Sequence, residues 1–280
     1  MKKSNIFFNL LFLFLFGSLS GFAQTANTTA QTAQAENSSE ETKKDEDKKP
    51  KYEAQFHFTN ETLSRNLGTW RTASLYIERK FDSKQIVWAN FRASERRGIK
   101  DREFVFGTYK PLANKWAVTA ETMFSPTHKF VGKYSVMGEV EKVLKKGFVA
   151  HGGVRFTNYD TVNATTGYGL VEKYWGSNRA AYTLFVTKLS NAGTAPSHRV
   201  QYTRYYGERV NSIGTAVSFG RELENLGPGV GVLRSKTWSV SVSARHWITN
   251  NFGIVVDGWV HRQGDIYYRR GLNFGVRYRF

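Results

Sequence analysis

The sequence predicts an all-β fold, a transmembrane antiparallel up-and-down β-barrel of about 14 strands with 12 as the alternative, and three observations carry that expectation. From Tyr52 to Phe280, apolar residues recur at every second position, the period of a strand with one apolar and one polar face. The recurring stretches run about ten to thirteen residues between turn-forming clusters, a length that suits a tilted strand crossing an outer membrane. The composition also leans all-β: 21 Phe, 14 Tyr, 7 Trp and 25 Gly stand against only 5 Pro in 280 residues. A charged fraction of 22% and a mean hydropathy of −0.46, with no long apolar run beyond the N-terminus, exclude a helical membrane protein. They do not exclude a barrel, in which only alternate residues face lipid.

The elements follow in order. Residues 1–23 read as a secretory signal peptide: Lys2 and Lys3 form a positive start, residues 6–16 an apolar run, and Gly21-Phe22-Ala23 a small-residue cleavage site. Residues 24–50 contain no aromatic or branched aliphatic side chain, so they cannot bury enough apolar area to offset chain entropy and are expected to be a disordered polar linker. The barrel is assigned to 51–280. Its expected strands are 52–60, 69–80, 85–96, 101–110, 115–124, 133–143, 147–158, 164–174, 178–188, 198–207, 211–221, 236–248, 252–262 and 267–280.

Alternation fixes the face of each strand. In the fifth, Trp116, Val118, Ala120, Thr122 and Phe124 oppose Thr119 and Glu121. In the seventh, Phe148, Ala150, Val154 and Phe156 oppose His151 and Arg155. Trp238, Val240, Val242 and Ala244 oppose Ser239, Ser241, Ser243 and Arg245. In the last, Leu272, Phe274, Val276, Tyr278 and Phe280 oppose Asn273, Gly275, Arg277 and Arg279.

Tight connections at 81–84, 111–114, 144–147, 175–178, 207–211 and 249–251 are expected on the periplasmic side, with longer loops opposite, up to Arg221 to Ser235. An even strand number returns both termini to one side. A soluble sandwich also alternates, but export, an aromatic terminal strand and aromatics near segment ends (Trp70, Phe81, Trp88, Tyr109, Trp116, Tyr174, Trp175, Trp238, Trp247), read as interfacial girdles, favour the membrane barrel.

The formal charge of +17 is carried whole by residues 50–280, since Lys2 and Lys3 are offset by six acids against four lysines in 36–49. For an exported chain, the polyanions that such a charge meets are lipid phosphates, lipopolysaccharide and acidic polysaccharide, and not nucleic acid. Without cysteine, disulfides, thiolate metal sites and cysteine nucleophiles are excluded. Six histidines, at 57, 128, 151, 198, 246 and 261, show neither paired metal-ligand spacing nor a carboxylate cluster, so no metal and no cofactor is expected.

The inner wall is expected to carry Arg92, Glu121, Glu139, Glu141, Arg155, Arg245, Asp257, Arg277 and Arg279, which either pair across the lumen or line a wet path. Arg277 and Arg279 should set a positive potential near the periplasmic end. Gly152, Gly153, Gly214, Gly220 and Gly275 would thin that wall or permit strand curvature. Two Ser and His neighbours, Ser125 near His128 and Ser197 beside His198, are the only candidates for nucleophilic catalysis, and there is no GxSxG stretch. An enzyme is not expected.

The terminal strand GLNFGVRYRF (271–280) resembles the carboxy-terminal signal read by the barrel assembly machinery, with Tyr278 and Phe280 in its aromatic positions. The blocks DREFVFGTYKPLANKWAV (101–118), ETMFSPTHKF (121–130), GEVEKVLKKGFVAHGGVRF (138–156) and YYGERVN (205–211) resemble the YaiO-type outer-membrane β-barrel family. The resemblance implies an outer-membrane location and a barrel, with no catalytic residues to carry over. Members often have a tetratricopeptide-like helical part before the barrel, and the 24–50 linker stands in its place here. The expected function is a structural or interaction role. The alternatives are a pore for anionic solutes or a part in exopolysaccharide export, and then a lipid-modifying enzyme.

Overall fold

A computed structural model describes residues 51–159, 162–190, 193–207, 210–225 and 232–280, with backbone alone at 223–225, 232 and 233. The expected signal peptide and linker, and the middle of the expected 221–235 loop, lie outside the described residues.

The chain forms fourteen strands: β1 (Tyr52–Leu63), β2 (Thr69–Lys80), β3 (Ile86–Arg96), β4 (Ile99–Pro111), β5 (Trp116–Phe124), β6 (Tyr134–Val143), β7 (Phe148–Asn158), β8 (Asn163–Trp175), β9 (Asn178–Leu189), β10 (Gly193–Tyr206), β11 (Asn211–Asn225), β12 (Val232–Trp247), β13 (Phe252–Gln263) and β14 (Tyr267–Arg279). Each pairs antiparallel with its sequence neighbours, and β1 pairs with β14 to close the barrel. At that seam Tyr52 and Phe280 exchange both backbone hydrogen bonds, at 2.9 and 3.0 Å. Tyr52 and Phe280, the two ends of the barrel segment, therefore share one end of the barrel, here called the terminal end; the other is the distal end.

Strand parity sorts the side chains. The outward face carries the exposed large apolar residues, among them Leu272 at 68% exposure, with Phe274, Val242, Ile213 and Phe106. A continuous apolar belt of this extent is unstable against water and matches hydrocarbon. The basic excess brackets the belt. Arg71, Lys100, Arg102, Lys188, Lys236 and Arg270 face outward near the distal end, and Arg79, Lys110, Lys142, Lys173 and Arg204 near the terminal end. The ammonium of Lys142 lies over Trp116 and that of Lys173 over Phe148, each 4.4 Å from the ring centroid, and they donate to the backbone carbonyls of Asn114 and Lys146.

Three expectations are corrected. The distal connections are not generally long. Residues 97–98 make a two-residue hairpin in which Arg97 (φ 51) and Gly98 (φ 79) both adopt the positive φ of a type I′ turn, and β11 and β12 stay paired to Asn225↔Val232. Likewise β10 begins at Gly193 and not at 198. Beyond the hydrocarbon both strand faces meet water, so apolar alternation stops while backbone pairing continues.

The second correction concerns aromatics. Trp70, Trp88, Tyr109 and Trp247 are buried and, with Tyr174, point into the barrel, leaving Phe81, Trp116, Trp175 and Trp238 outside. Third, Gly153 and Gly275 do not thin the wall: the rings of Tyr168 and His57 lie over them from the adjacent strand, as Trp88 lies over Gly107 and Trp259 over Gly271. A glycine beneath a cross-strand ring lets that ring lie flat on the wall. Gly152 faces outward.

Candidate functional site in the barrel lumen

The inner wall is an ion-paired network built from register. Arg92 Nη2 meets Glu103 Oε1 at 3.2 Å across β3 and β4, and Arg155 Nη2 meets Glu121 Oε1 at 3.0 Å. His151 Nδ1 lies 3.2 Å from Glu139 Oε1 and 3.9 Å from Glu141 Oε2, with its Nε2 3.8 Å from Glu172. The Tyr168 hydroxyl donates to Glu139 at 2.6 Å, and Arg179 clasps Glu172, which also accepts from Tyr174 at 2.8 Å. Arg245 sits 3.9 Å from Asp257, whose other oxygen accepts from Asn273 at 2.8 Å. Glu61 accepts from Trp259 at 3.1 Å and pairs with Arg269 at 3.2 Å.

Arg277 and Arg279 both pair with Glu53, Arg277 Nη2 at 2.6 Å and Arg279 Nε at 2.9 Å, and both guanidinium groups lie over Trp247 at 4.2 and 3.9 Å from its centroid. The positive potential expected there is thus partly neutralised by a carboxylate. Glu53, Glu61, Glu103, Glu172, Arg179, Arg199 and Arg269 were missed as inner-wall residues. Strand parity was the available signal: Glu53 and Glu61 alternate with the outward Phe56 and Phe58.

Neither Ser and His neighbour makes a nucleophile and base. Ser125 Oγ accepts from the backbone N–H of His128 at 2.9 Å, while the His128 ring Nδ1 lies 3.0 Å from the Ser125 carbonyl. Ser197 points inward, whereas His198 points outward between the Tyr182 hydroxyl at 2.8 Å and the stacked ring of Phe219.

Both ends of the lumen are narrowed. At the terminal end Tyr76, Ile86, Trp88, Tyr109 and Ala117 pack as one apolar cluster. At the distal end Asp101, 1% exposed, accepts from the backbone N–H groups of Lys129, Phe130 and Val131 at 2.9, 2.7 and 3.1 Å, pinning the 125–133 connection over the mouth. There Arg96 lies over both Trp70 and Phe130, 4.3 and 4.5 Å from their centroids. In the connection after β7, burial pushes the Tyr159 phenol up to about 12.

Between these ends the wall is uneven. The inward positions of β4 to β6 are almost all buried, filled by Val105, Met123 and Met137 with the paired acids. On β11 and β12 nothing larger than serine occupies mid-height: Gly214, Ala216 and Ser218 face Ser243, Ser241 and Ser239. These three β12 serines, Ser218, and Ser197, Gln201, Thr203 and Tyr205 on β10 are all half-exposed. Solvent therefore reaches a lane along β10 and β12, at Ser197, at Gln201 to Tyr205 and at Ser239 to Arg245, while Arg199, Ser212 and Ala216 stay buried beside it.

The family profile described as a YaiO membrane beta barrel domain matches residues 51–225. A sequence search among curated proteins finds no match. Among solved structures, the chain is similar to a bacterial polysaccharide outer membrane secretin (TM-score 0.55, 10% identity, 84% of this chain and 100% of that one). It is similar to the CymD monoaromatic hydrocarbon channel (0.57, 9%, 83% and 89%) and to the Acinetobacter baumannii outer membrane protein Omp33 (0.51, 12%, 83% and 100%). At these identities the likeness is one of fold.

Proposed function

Given that this chain belongs to the YaiO membrane β-barrel family and is an outer-membrane barrel, we propose that it works as a restricted passage for small polar solutes along the β10 to β12 lane. The observation that carries this reading is the set of half-exposed inward residues Ser197, Gln201, Thr203 and Tyr205 on β10 and Ser239 to Arg245 on β12, interrupted only by the buried Arg199. A wall held only for stability would be sealed there as it is on β4 to β6. The reading rests on the lumen wall, and the fold likeness to a secretin and a channel agrees with it without giving a cargo. The basic rings above and below the apolar belt suit lipid phosphates, including those of lipopolysaccharide, and Tyr278 and Phe280 suit recognition by the barrel assembly machinery.

The ion-paired remainder of the lumen supports a second reading, a structural or interaction role, because such a network stiffens the wall without needing a solute. Single-channel recording on purified, detergent-folded protein separates the two. We expect small conductance steps that shrink when Ala216→Trp fills the lane. An inserted barrel that never conducts would overturn the passage and leave the structural role.

A further inference from the structure

We propose that Arg199 anchors a binding site in the lumen for the oxyanion of a polyhydroxylated solute, a sugar acid or similar hydroxy acid. The proposal deepens the passage reading and rests on it in one respect: a ligand reaches Arg199 only along the wet lane.

Arg199 sits midway along β10, opposite Thr183 on β9 and Ser218 on β11, on the inward face. It is 8% exposed, its Nε has no hydrogen-bond partner, and among the described residues no ion pair includes it. That sets it apart from the inward arginines described above, seven of which hold a carboxylate. A buried guanidinium without a counter-charge is costly, and its planar fork fits a carboxylate, phosphate or sulfate group bidentately.

One step along the same face, Gln201 presents a buried Oε1 that also has no partner. A bare carbonyl oxygen needs a donor, which an oxyanion cannot supply and a hydroxyl can. The two residues repeat every second position, about 7 Å apart along the strand, the span from an acid group to a hydroxyl within one sugar ring. Thr183 and Ser218 offer further hydroxyls at the level of Arg199, and the inward side chains of β11 and β12 facing it at mid-height are no larger than serine. An unpaired donor fork beside an unpaired acceptor selects an anion that carries hydroxyls over a bare anion or a neutral sugar.

The test is isothermal titration of the detergent-folded mature chain with D-glucuronate, sodium sulfate and D-glucose, alongside conductance of the same preparations. Glucuronate should bind, glucose should not, and Arg199→Gln should weaken glucuronate by at least about tenfold, the loss of one charge-assisted pair. Gln201→Leu should weaken glucuronate and leave sulfate unchanged. Folding of each variant is checked by its altered migration on unheated gels. Should Arg199→Gln fail to fold, Ser218→Leu, which blocks the lane with Arg199 intact, must abolish glucuronate binding.

Unchanged glucuronate affinity in Arg199→Gln, or no binding of glucuronate to the wild type, overturns the site. Sulfate binding as tightly as glucuronate overturns the role of Gln201 and with it the polyhydroxylated class. Conduction without glucuronate binding overturns the site and keeps the passage, while binding without conduction keeps the site and overturns the passage.

Discussion

Replacing Glu53 by Gln should destabilise the barrel more than any other single isosteric change at its seam. Glu53 stands on β1, and both of its cationic partners stand on β14, so this carboxylate bridges the first strand to the last. The side chains of Glu53 and Arg277 are 3% and 5% exposed, that of Arg279 18%. Glu53→Gln leaves two guanidinium groups facing each other over Trp247 with no negative partner. Breaking a buried pair from one side costs about 3–5 kcal/mol, and with water nearby in the lumen the lower end, about 3 kcal/mol, applies.

Removing Arg279 instead leaves Glu53 paired to Arg277, and the half-solvated ion pair that disappears is worth about 1 kcal/mol or less. With an unfolding slope of about 1–3 kcal/mol per molar urea, Glu53→Gln should lower the midpoint by about 1–3 M, and Arg279→Gln by a third of that or less. Unfolding is followed by tryptophan emission in detergent, with gel migration as the second probe. A Glu53→Gln midpoint equal to wild type, or an Arg279→Gln midpoint lowered as far, would refute the seam argument.

Two further outcomes follow from the same geometry. Asp101→Ala removes the acceptor of three backbone N–H groups in the 125–133 connection; we expect about 1–3 kcal/mol of lost stability and faster proteolysis at Lys129 and Lys133, and unchanged cleavage would count against a pinned lid. Gly107→Val would place a side chain in the space held by the Trp88 ring; overpacking should cost about 1–3 kcal/mol and shift Trp emission, and an unshifted spectrum would show that the ring does not lie on the glycine.

Much of the fold was legible because hydrocarbon imposes a strict rule on every second residue. The alternation of Leu272, Phe274, Val276 and Tyr278 against Asn273, Arg277 and Arg279 set the parity of β14, and register then sets the rest of the wall. Aromatics were harder. A tryptophan near a strand end suits either a lipid girdle or a lumen glycine, and Trp88 and Trp247 chose the latter; their shared parity with Arg92 and Arg245 would have told the difference. Distal strand ends were misread because polar residues on both faces erase alternation while the ladder persists, as at Glu222↔Ser235. The pairing of charges was the least visible part. That Arg277 finds Glu53 and Arg199 finds no carboxylate depends on which residues stand level on neighbouring strands, which one strand's pattern does not contain.

The seam carries one more consequence. Because Tyr52 and Phe280 already exchange hydrogen bonds and their rings stack 5.4 Å apart, the segment from Tyr52 to Phe280 is nearly a loop that lacks only a short turn. Joining the two ends and cutting at another turn, such as 176–177 between β8 and β9, would rename the strands without altering a single neighbour. What would change is the order of events. In the natural chain the β1 and β14 contact spans the greatest sequence separation and so pays the largest loop-closure entropy, which makes it the last ladder to form. In the rearranged chain that ladder would become a local hairpin and form early, and β8 with β9 would inherit the closing step.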